Sequence, residues 1–284
     1  MSRIAYVNGR YVPHGAAVVS IDDRGYVFAD GVYEVVAVER GQLVDEAAHL
    51  ARLKRSLAEL RIMAPMEEAP LRHVLRQVVK RNGIKRGMVY LQITRGVAPR
   101  DHGFPTAAWP QLVVTAKRLA APSAKAMAEG VGIVTIPDIR WRRCDIKSVS
   151  LLPNILGKQV ARDQGAHEAW QIDDQGQVTE GTSSNAWIVS ADGVLLTRPS
   201  GDEILNGITR LVVLELVAEL GLPFEQRAFG LEEARVASEA FLTSTTAHVL
   251  PITRIDGQPV GDGKPGRFTT ALAERYRRHL DQAR

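Results

Sequence analysis

The spacing of hydrophobic and polar positions changes several times along the chain, and each change marks an element. Ile4-Ala5-Tyr6-Val7 and Arg10-Tyr11-Val12 flank Asn8-Gly9, a dipeptide suited to the left-handed backbone of a tight hairpin, so the chain opens as two paired strands. Gly31–Glu39 (GVYEVVAVE) is a β-branched run and predicts a strand. Over residues 45–62, Leu50, Leu53, Leu57 and Leu60 recur at helical spacing and predict an amphipathic helix. Leu71, Val74, Leu75 and Val78 repeat that spacing up to Asn82-Gly83, a helix-ending pair, while residues 88–94 and 111–115 have strand composition. The first half is therefore α+β.

Residues 117–128 (KRLAAPSAKAMA) are Ala-rich and interrupted by Pro122-Ser123, which predicts a linker between a domain at 1–116 and a second at 129–284. The second half is richer in strands, at 131–136, 168–172, 185–189 and 240–242, with turns at Asp173-Asp174-Gln175-Gly176 and Asp192-Gly193. Helices are expected at 207–220 and 267–282, the latter from the spacing of Leu272, Tyr276 and Leu280. Strands do not alternate regularly with helices, and no glycine-rich turn joins a first strand to a first helix. A doubly wound nucleotide fold is thus unfavoured, and the expectation is a two-domain α+β protein, a small α/β domain followed by a larger strand-rich one.

Composition narrows the class. Hydrophobic residues make up 45% and charged residues 24% of 284, which argues against disorder, collagen-like repeats and coiled coil. Lys plus Arg number 36 against 32 Asp plus Glu, and a dispersed net charge of +4 does not suit an obligate nucleic-acid binder. Cys144 is the sole cysteine, which excludes an intrachain disulfide and multi-cysteine metal sites and fits a reducing compartment. No apolar run is long enough to span a membrane and the first residues lack a signal-peptide core, so a cytoplasmic protein without membrane or metal is expected.

Several segments carry candidate chemistry, each with a plain structural alternative. Read as a strand, residues 141–148 put Trp141, Arg143, Asp145 and Lys147 on one face, where neighbouring cations would favour a neutral, nucleophilic amine; equally, Lys147 fits a solvated edge position. Glu180, in Val178-Thr179-Glu180-Gly181-Thr182-Ser183-Ser184-Asn185, can hold a ring nitrogen protonated or sit in an ordinary hydroxyl-rich connection. Gly207-Ile208-Thr209 opens a helix whose N–H groups suit an anion, and Thr243-Ser244-Thr245-Thr246 offers further donors. Arg100-Asp101-His102, in a Gly- and Pro-containing loop, can grip a carboxylate. Tyr33 and Arg52 are open between packing and function.

In this order, Asp23 to Val35, Thr94-Arg95-Gly96 with Pro99-Arg100-Asp101-His102, Arg140 to Ser148, Thr179 to Asn185, Leu205 to Arg210 and Thr243 to Thr246, the segments resemble the fold-type IV pyridoxal-phosphate enzymes, most closely the D-amino acid transaminases. The resemblance covers essentially the whole chain. It implies a homodimer with pyridoxal 5'-phosphate at the domain interface, moving an amino group between a D-amino acid such as D-alanine or D-glutamate and a 2-oxo acid such as 2-oxoglutarate. Lys147 would form a Schiff base with the cofactor and shuttle the proton at Cα. Glu180 would pair with the ring nitrogen; Arg52, Ile208, Thr209, Ser244 and Thr245 would hold the phosphate, and Leu205 would pack on the ring. Tyr33, Arg100 and His102 resemble the carboxylate trap of the D-amino acid branch. Branched-chain L-amino acid transaminases and aminodeoxychorismate lyases share the lysine, the glutamate and the phosphate cup, so the Arg100-Asp101-His102 loop separates the branches. A noncatalytic protein that binds a small ligand or an acidic partner is the alternative from another class. Ala29 stands where a glycine is common, and Thr182 where a serine is common.

Overall fold

Asn8 and Gly9 adopt φ of 45° and 91°, and the strands on either side, β1 (Ile4–Val7) and β2 (Arg10–Pro13), pair antiparallel as their alternation requires. A computed structural model describes residues 3–120 and 123–282 of the chain, which divides into two compact units. The first takes residues 3–120 together with 146–150 and Gln282; the second takes 123–145 and 151–281.

In the first unit, a short helix α1 (Arg24–Phe28) precedes β3 (Gly31–Glu39) and β4 (Gln42–Leu43), and helices α2 (Glu46–Glu59) and α3 (Glu68–Arg81) lead to β5 (Arg86–Thr94) and β6 (Gln111–Arg118). The six strands lie in the order β2-β1-β6-β5-β3-β4 and pair antiparallel throughout. β3 and β5 stay in register from Gly31 opposite Thr94 to Glu39 opposite Arg86. Alternate residues of these strands (Val32, Val36, Val38, Val89, Leu91, Ile93) bury against Leu50, Leu53 and Leu57 of α2 and Leu71, Val74, Leu75 and Val78 of α3. Each such side chain contributes roughly 1.5–3 kcal/mol. α2 ends where Arg61 turns to a φ of 52°.

The second unit contains α4 (Ala124–Glu129), β7 (Val131–Pro137), α5 (Leu152–Asp163), β8 (Glu168–Ile172), β9 (Val178–Gly181), β10 (Asn185–Val189), β11 (Leu195–Thr197), α6 (Ile208–Glu219), β12 (Phe224–Gln226), α7 (Leu231–Arg235), β13 (Glu239–Ser244), β14 (His248–Ile255), β15 (Gln258–Pro259) and α8 (Arg267–Asp281). Its sheet runs β12-β11-β10-β13-β14-β7-β8-β9, with β15 beside β14. Only the pairings β14–β7, β7–β8 and β11–β12 are parallel. Trp170, Ile188, Phe229, Leu242, Leu250 and Ile252 lie in its core. The architecture is α+β in both units. No helix among the described residues is long and apolar enough to cross a membrane.

Three local expectations change. Residues 117–128 are not a bare linker, because β6 runs on to Arg118 and Ser123 caps α4 by accepting from the Ala126 N–H at 3.3 Å; Pro122 lies outside the described residues. Residues 141–148 do not form a strand. Short-range ion pairs (Arg140 with Asp138, Arg143 with Asp145) hold this stretch irregular, and Ile146 to Ser150 joins the first unit rather than the second. Helix α5, absent from the expected elements, starts with Pro153 in its first turn, where a missing N–H costs nothing.

The departure at Ala29 acquires a physical meaning here. Ala29 ends α1 with φ 57° and ψ 28°, donating its N–H to the carbonyls of Arg24 and Gly25. An L-residue in this left-handed conformation costs roughly 1–2 kcal/mol, partly offset because glycine loses more entropy on folding. Ala29→Gly is therefore expected to raise stability by about 0.5–1 kcal/mol, read as a higher urea midpoint at unchanged slope.

Candidate active site

Residues 146–150 lie against β3. The Tyr33 N–H donates to the Lys147 carbonyl at 3.0 Å, the Val149 N–H donates to the Gly31 carbonyl at 3.0 Å, and Val32 and Ser148 form an antiparallel bridge. The Lys147 N–H reaches the Ser56 hydroxyl at 3.3 Å. These bonds fix the lysine main chain, and its half-buried side chain lies over the Tyr33 ring, Nζ being 4.4 Å from the centroid and 3.4 Å from the hydroxyl oxygen. Behind Tyr33 stands Tyr90, with ring centroids 5.6 Å apart. Burial, with Tyr33 adding to it, pushes the Tyr90 phenol up to about 12, so it remains a neutral donor to Gln92 at 2.7 Å.

Period two turns the next residue of β3, Glu34, away from Tyr33 and into the protein. Its carboxylate is fully buried and accepts from Arg52 at both oxygens, Nε to Oε1 and Nη2 to Oε2, each at 2.8 Å; His49 Nδ1 lies 2.7 Å from Oε2. Burial alone would raise the Glu34 carboxyl, but the charge and hydrogen bonds of Arg52, with help from His49, hold it at about 2. Burial also lowers His49; Glu34 opposes this, and Arg52 and Lys147 reinforce it. Arg52 is thus a partly covered group oriented by a carboxylate, not a solvent-facing helix residue.

In the second unit, Glu180 lies on β9 and is buried. Its Oε2 accepts from the Asn185 amide at 3.0 Å and the Leu205 N–H at 3.1 Å, and its Oε1 accepts from Arg140. Arg140 also grips Asp138 through Nε at 2.9 Å and Nη2 at 2.7 Å, and donates to the Glu203 carbonyl at 3.0 Å. Although burial pulls the Arg140 guanidinium down, Asp138 and Glu180 carry it above its ordinary range. Burial pushes the neighbouring Cys144 thiol up to about 12, leaving it inert. The turn after Glu180 closes on buried Glu168, which accepts from Thr182, from Ser183 at 2.8 Å and from Ser184 at 3.3 Å, so threonine at 182 keeps the hydroxyl that matters.

Asn185 also receives the start of α6. Its amide donates to the Leu205 carbonyl at 2.8 Å, and a Cβ on Gly207 would come 2.1 Å from its Oδ1, so only glycine fits. α6 opens at Gly207 with no side-chain cap, so its first N–H groups have no intrahelical acceptor, and the buried Thr209 lies in its first turn. Ser244, at the end of β13, accepts from the Ala247 N–H at 3.0 Å, and Thr245 follows in the same turn. In the second unit an uncapped helix start with hydroxyls and a carboxylate held by three donors, and in the first a lysine beside a phenol, are each of the kind that pyridoxal phosphate requires. Among the described residues no His, Cys, Asp and Glu cluster suits a metal.

Arg100 and His102 are exposed on the loop after β5, both near the Phe28 ring, and neither hydrogen-bonds Tyr33 among the described residues. Four residues escaped sequence reasoning: Glu34, His49, Arg140 and Glu168. A charge inside the apolar run GVYEVVAVE and the i, i+3 spacing of His49 and Arg52 were the available signals for the first two.

The sequence matches the profile of the class IV amino-transferases over residues 31–255. It is 45% identical over 262 residues to a D-alanine aminotransferase of Bacillus licheniformis, covering 92% of each chain, and 41% identical over 278 residues to one of Staphylococcus aureus strain MSSA476, covering 97% of each. The solved branched-chain amino acid aminotransferase of Thermoproteus uzoniensis with norvaline aligns at a TM-score of 0.88 with 28% identity, covering 99% of this chain and 96% of that one. A hypothetical aminotransferase from Mycobacterium tuberculosis in its PLP-bound form aligns at 0.84 with 22% identity, a likeness of fold, covering 99% and 100%. The chain belongs to the class IV amino-transferase family. It is a pyridoxal-phosphate-dependent aminotransferase of fold type IV, with amino acid and 2-oxo acid substrates.

His49 yields a prediction of sign. Below its ordinary value of 6.5 the unfolded chain protonates His49 while the native protein resists, so the stability present above 6.5 is lost as the pH falls. His49→Gln keeps a donor toward Glu34 but does not titrate. Its urea midpoint is expected to depend less on pH between 6.5 and the acid limb than that of the native protein.

Proposed function

We propose that this enzyme transfers an amino group reversibly between a D-amino acid, D-alanine or D-glutamate, and a 2-oxo acid such as 2-oxoglutarate. The observation that carries the reading is the identity of 45% and 41% to enzymes named D-alanine aminotransferase, over nearly the full length of both. The likeness to branched-chain enzymes is weaker, at 28% identity to the one from Thermoproteus uzoniensis. A homodimer in the cytoplasm belongs to the same proposal; the outward apolar stripe of Leu152, Ile155, Leu156 and Val160 on α5 supports the dimer, and the single buried thiol suits a reducing compartment.

Bound pyridoxal phosphate supplies an aldehyde carbon for the amino group and a ring that accepts the electron pair left at Cα. Lys147 would anchor the cofactor covalently and, once the substrate amine has displaced it, its freed Nζ would accept the Cα proton, with the Tyr33 hydroxyl beside it. Glu180, held by Arg140, Asn185 and the Leu205 N–H, would pair with the protonated ring nitrogen, and Leu205 would pack on the ring. Ile208, Thr209, Ser244 and Thr245 hold the phosphate with Arg52, whose guanidinium is oriented by Glu34. Arg100 and His102, with Tyr33, bind the substrate carboxylate and so decide which enantiomer presents its Cα–H to Lys147.

Borohydride reduction is expected to fix the cofactor to Lys147, and Lys147→Ala to abolish turnover, since the acid–base step alone is worth roughly 10²- to 10⁴-fold; a peptide map placing the label on Lys158 overturns the assignment. Half-reactions followed by cofactor absorbance should run far faster with D-alanine than with L-leucine. Arg100→Ala is expected to weaken D-alanine use by about 1.5–3 kcal/mol, the scale of a hydrogen bond to a charged group, with cofactor binding intact. A preference for L-leucine would replace the D-specific reading with the branched-chain one.

A further inference from the structure

The side chains of Arg100 and His102 are exposed on a loop with little regular structure, yet both lie near one aromatic ring. The Arg100 guanidinium is 5.2 Å from the Phe28 centroid, and the His102 ring centroid is 5.3 Å away, its plane tilted by 43°. A second guanidinium, that of Arg24, sits 4.8 Å from the same centroid.

Arg24 is only 4% exposed, and much of its hydrogen-bonding capacity goes to the main chain of this loop. Nη1 donates to the Asp101 carbonyl at 2.6 Å, Nη2 to the His102 carbonyl at 3.4 Å, and Nε to Asp30 at 2.8 Å. Asp30 is shared with Arg95, which donates to it at 2.7 and 2.9 Å and to the carbonyls of Leu60 and Arg61 at 2.8 and 3.0 Å. One carboxylate and two guanidiniums therefore tie the main chain of the loop to the end of α2. Burial works against ionisation of Asp30, but the hydrogen bonds of Arg95 and Arg24 win and hold it below its usual range.

We infer that Arg24 and Phe28 are positioning residues for substrate handedness: Arg24 fixes the main chain at 101–102, and the Phe28 ring orders Arg100 and His102 for an incoming α-carboxylate. Without this support two long side chains on an irregular loop would have to be ordered by the substrate itself, at the expense of affinity. The inference rests on the proposed role of Arg100 and His102 in carboxylate binding.

The test uses the holoenzyme and two substitutions. Phe28→Leu keeps an apolar side chain but removes the ring face, and Arg24→Lys keeps the charge but cannot span Asp30 and two carbonyls together. For each, KM for D-alanine is expected to rise about tenfold while kcat stays near native, and the ratio of kcat/KM for D-alanine over L-alanine should fall by a similar factor. The cofactor absorption spectrum and cofactor affinity should not move. A parallel fall of kcat, KM selectivity and cofactor affinity would mark a general packing role and overturn the inference. Arg100→Ala measured alongside separates the two readings: if it raises KM while both positioning variants stay native, the positioning role alone is lost, and if it leaves KM unchanged, the carboxylate role of the loop fails and this inference with it. Should Phe28→Leu not yield folded holoenzyme, Arg24→Lys decides by the same split.

Discussion

The backbone pairing of β3 with residues 146–150 is the constraint on which the first unit's chemistry depends. Two hydrogen bonds of 3.0 Å place Lys147 opposite Tyr33 with the precision of a sheet rather than of a loop. β3 is itself held over nine residue pairs by β5, so its alternation is rigid: Tyr33 faces the lysine, and Glu34, one residue on, faces His49 and Arg52. One strand thus sets the surroundings of the Lys147 amine on one face and the orientation of the Arg52 guanidinium on the other. A slip of one residue in its register would exchange the two faces and destroy both.

Buried charge follows one pattern in both units, a carboxylate satisfied from several directions. Glu34 is matched by Arg52 and His49, and Glu180 by Arg140, Asn185 and the Leu205 N–H. Such pairs add little net stability, because desolvation takes back most of the Coulomb gain, and their removal is costly chiefly through the charge left behind. Their physical effect is to fix protonation and geometry.

The elements with a clean period, β1 to β3, α2, α3, α6 and α8, can be read from the chain because their apolar faces point into a core. Helix α5 carries the same helical spacing in Leu152, Ile155, Leu156 and Val160, but that stripe faces outward and its buried residues are the small Gly157 and Ala161. Residues 141–148 mislead for the opposite reason: alternating residues suggest a strand, but local ion pairs and the bond from the Cys144 N–H to the Asp202 carbonyl at 2.8 Å hold an irregular path. Single residues fared by the same logic. Lys147 and Glu180 stand out only through the order of six segments. Arg140 and His49 act through partners on other elements, which no local pattern encodes.

The loop carrying Arg100 and His102 differs in kind from the sheet carrying Tyr33 and Lys147. Its side chains are exposed, and its main chain is anchored by Arg24 at two carbonyls instead of by a continuous ladder. Such a loop can change its sequence without disturbing β3, the pairing at 146–150 or the Glu180 network. That separation explains how the fold persists at a TM-score of 0.88 against a branched-chain enzyme only 28% identical. The frame around Lys147 is kept by the rigidity of its strands, whereas the loop at 100–102 is supported by a few identifiable contacts.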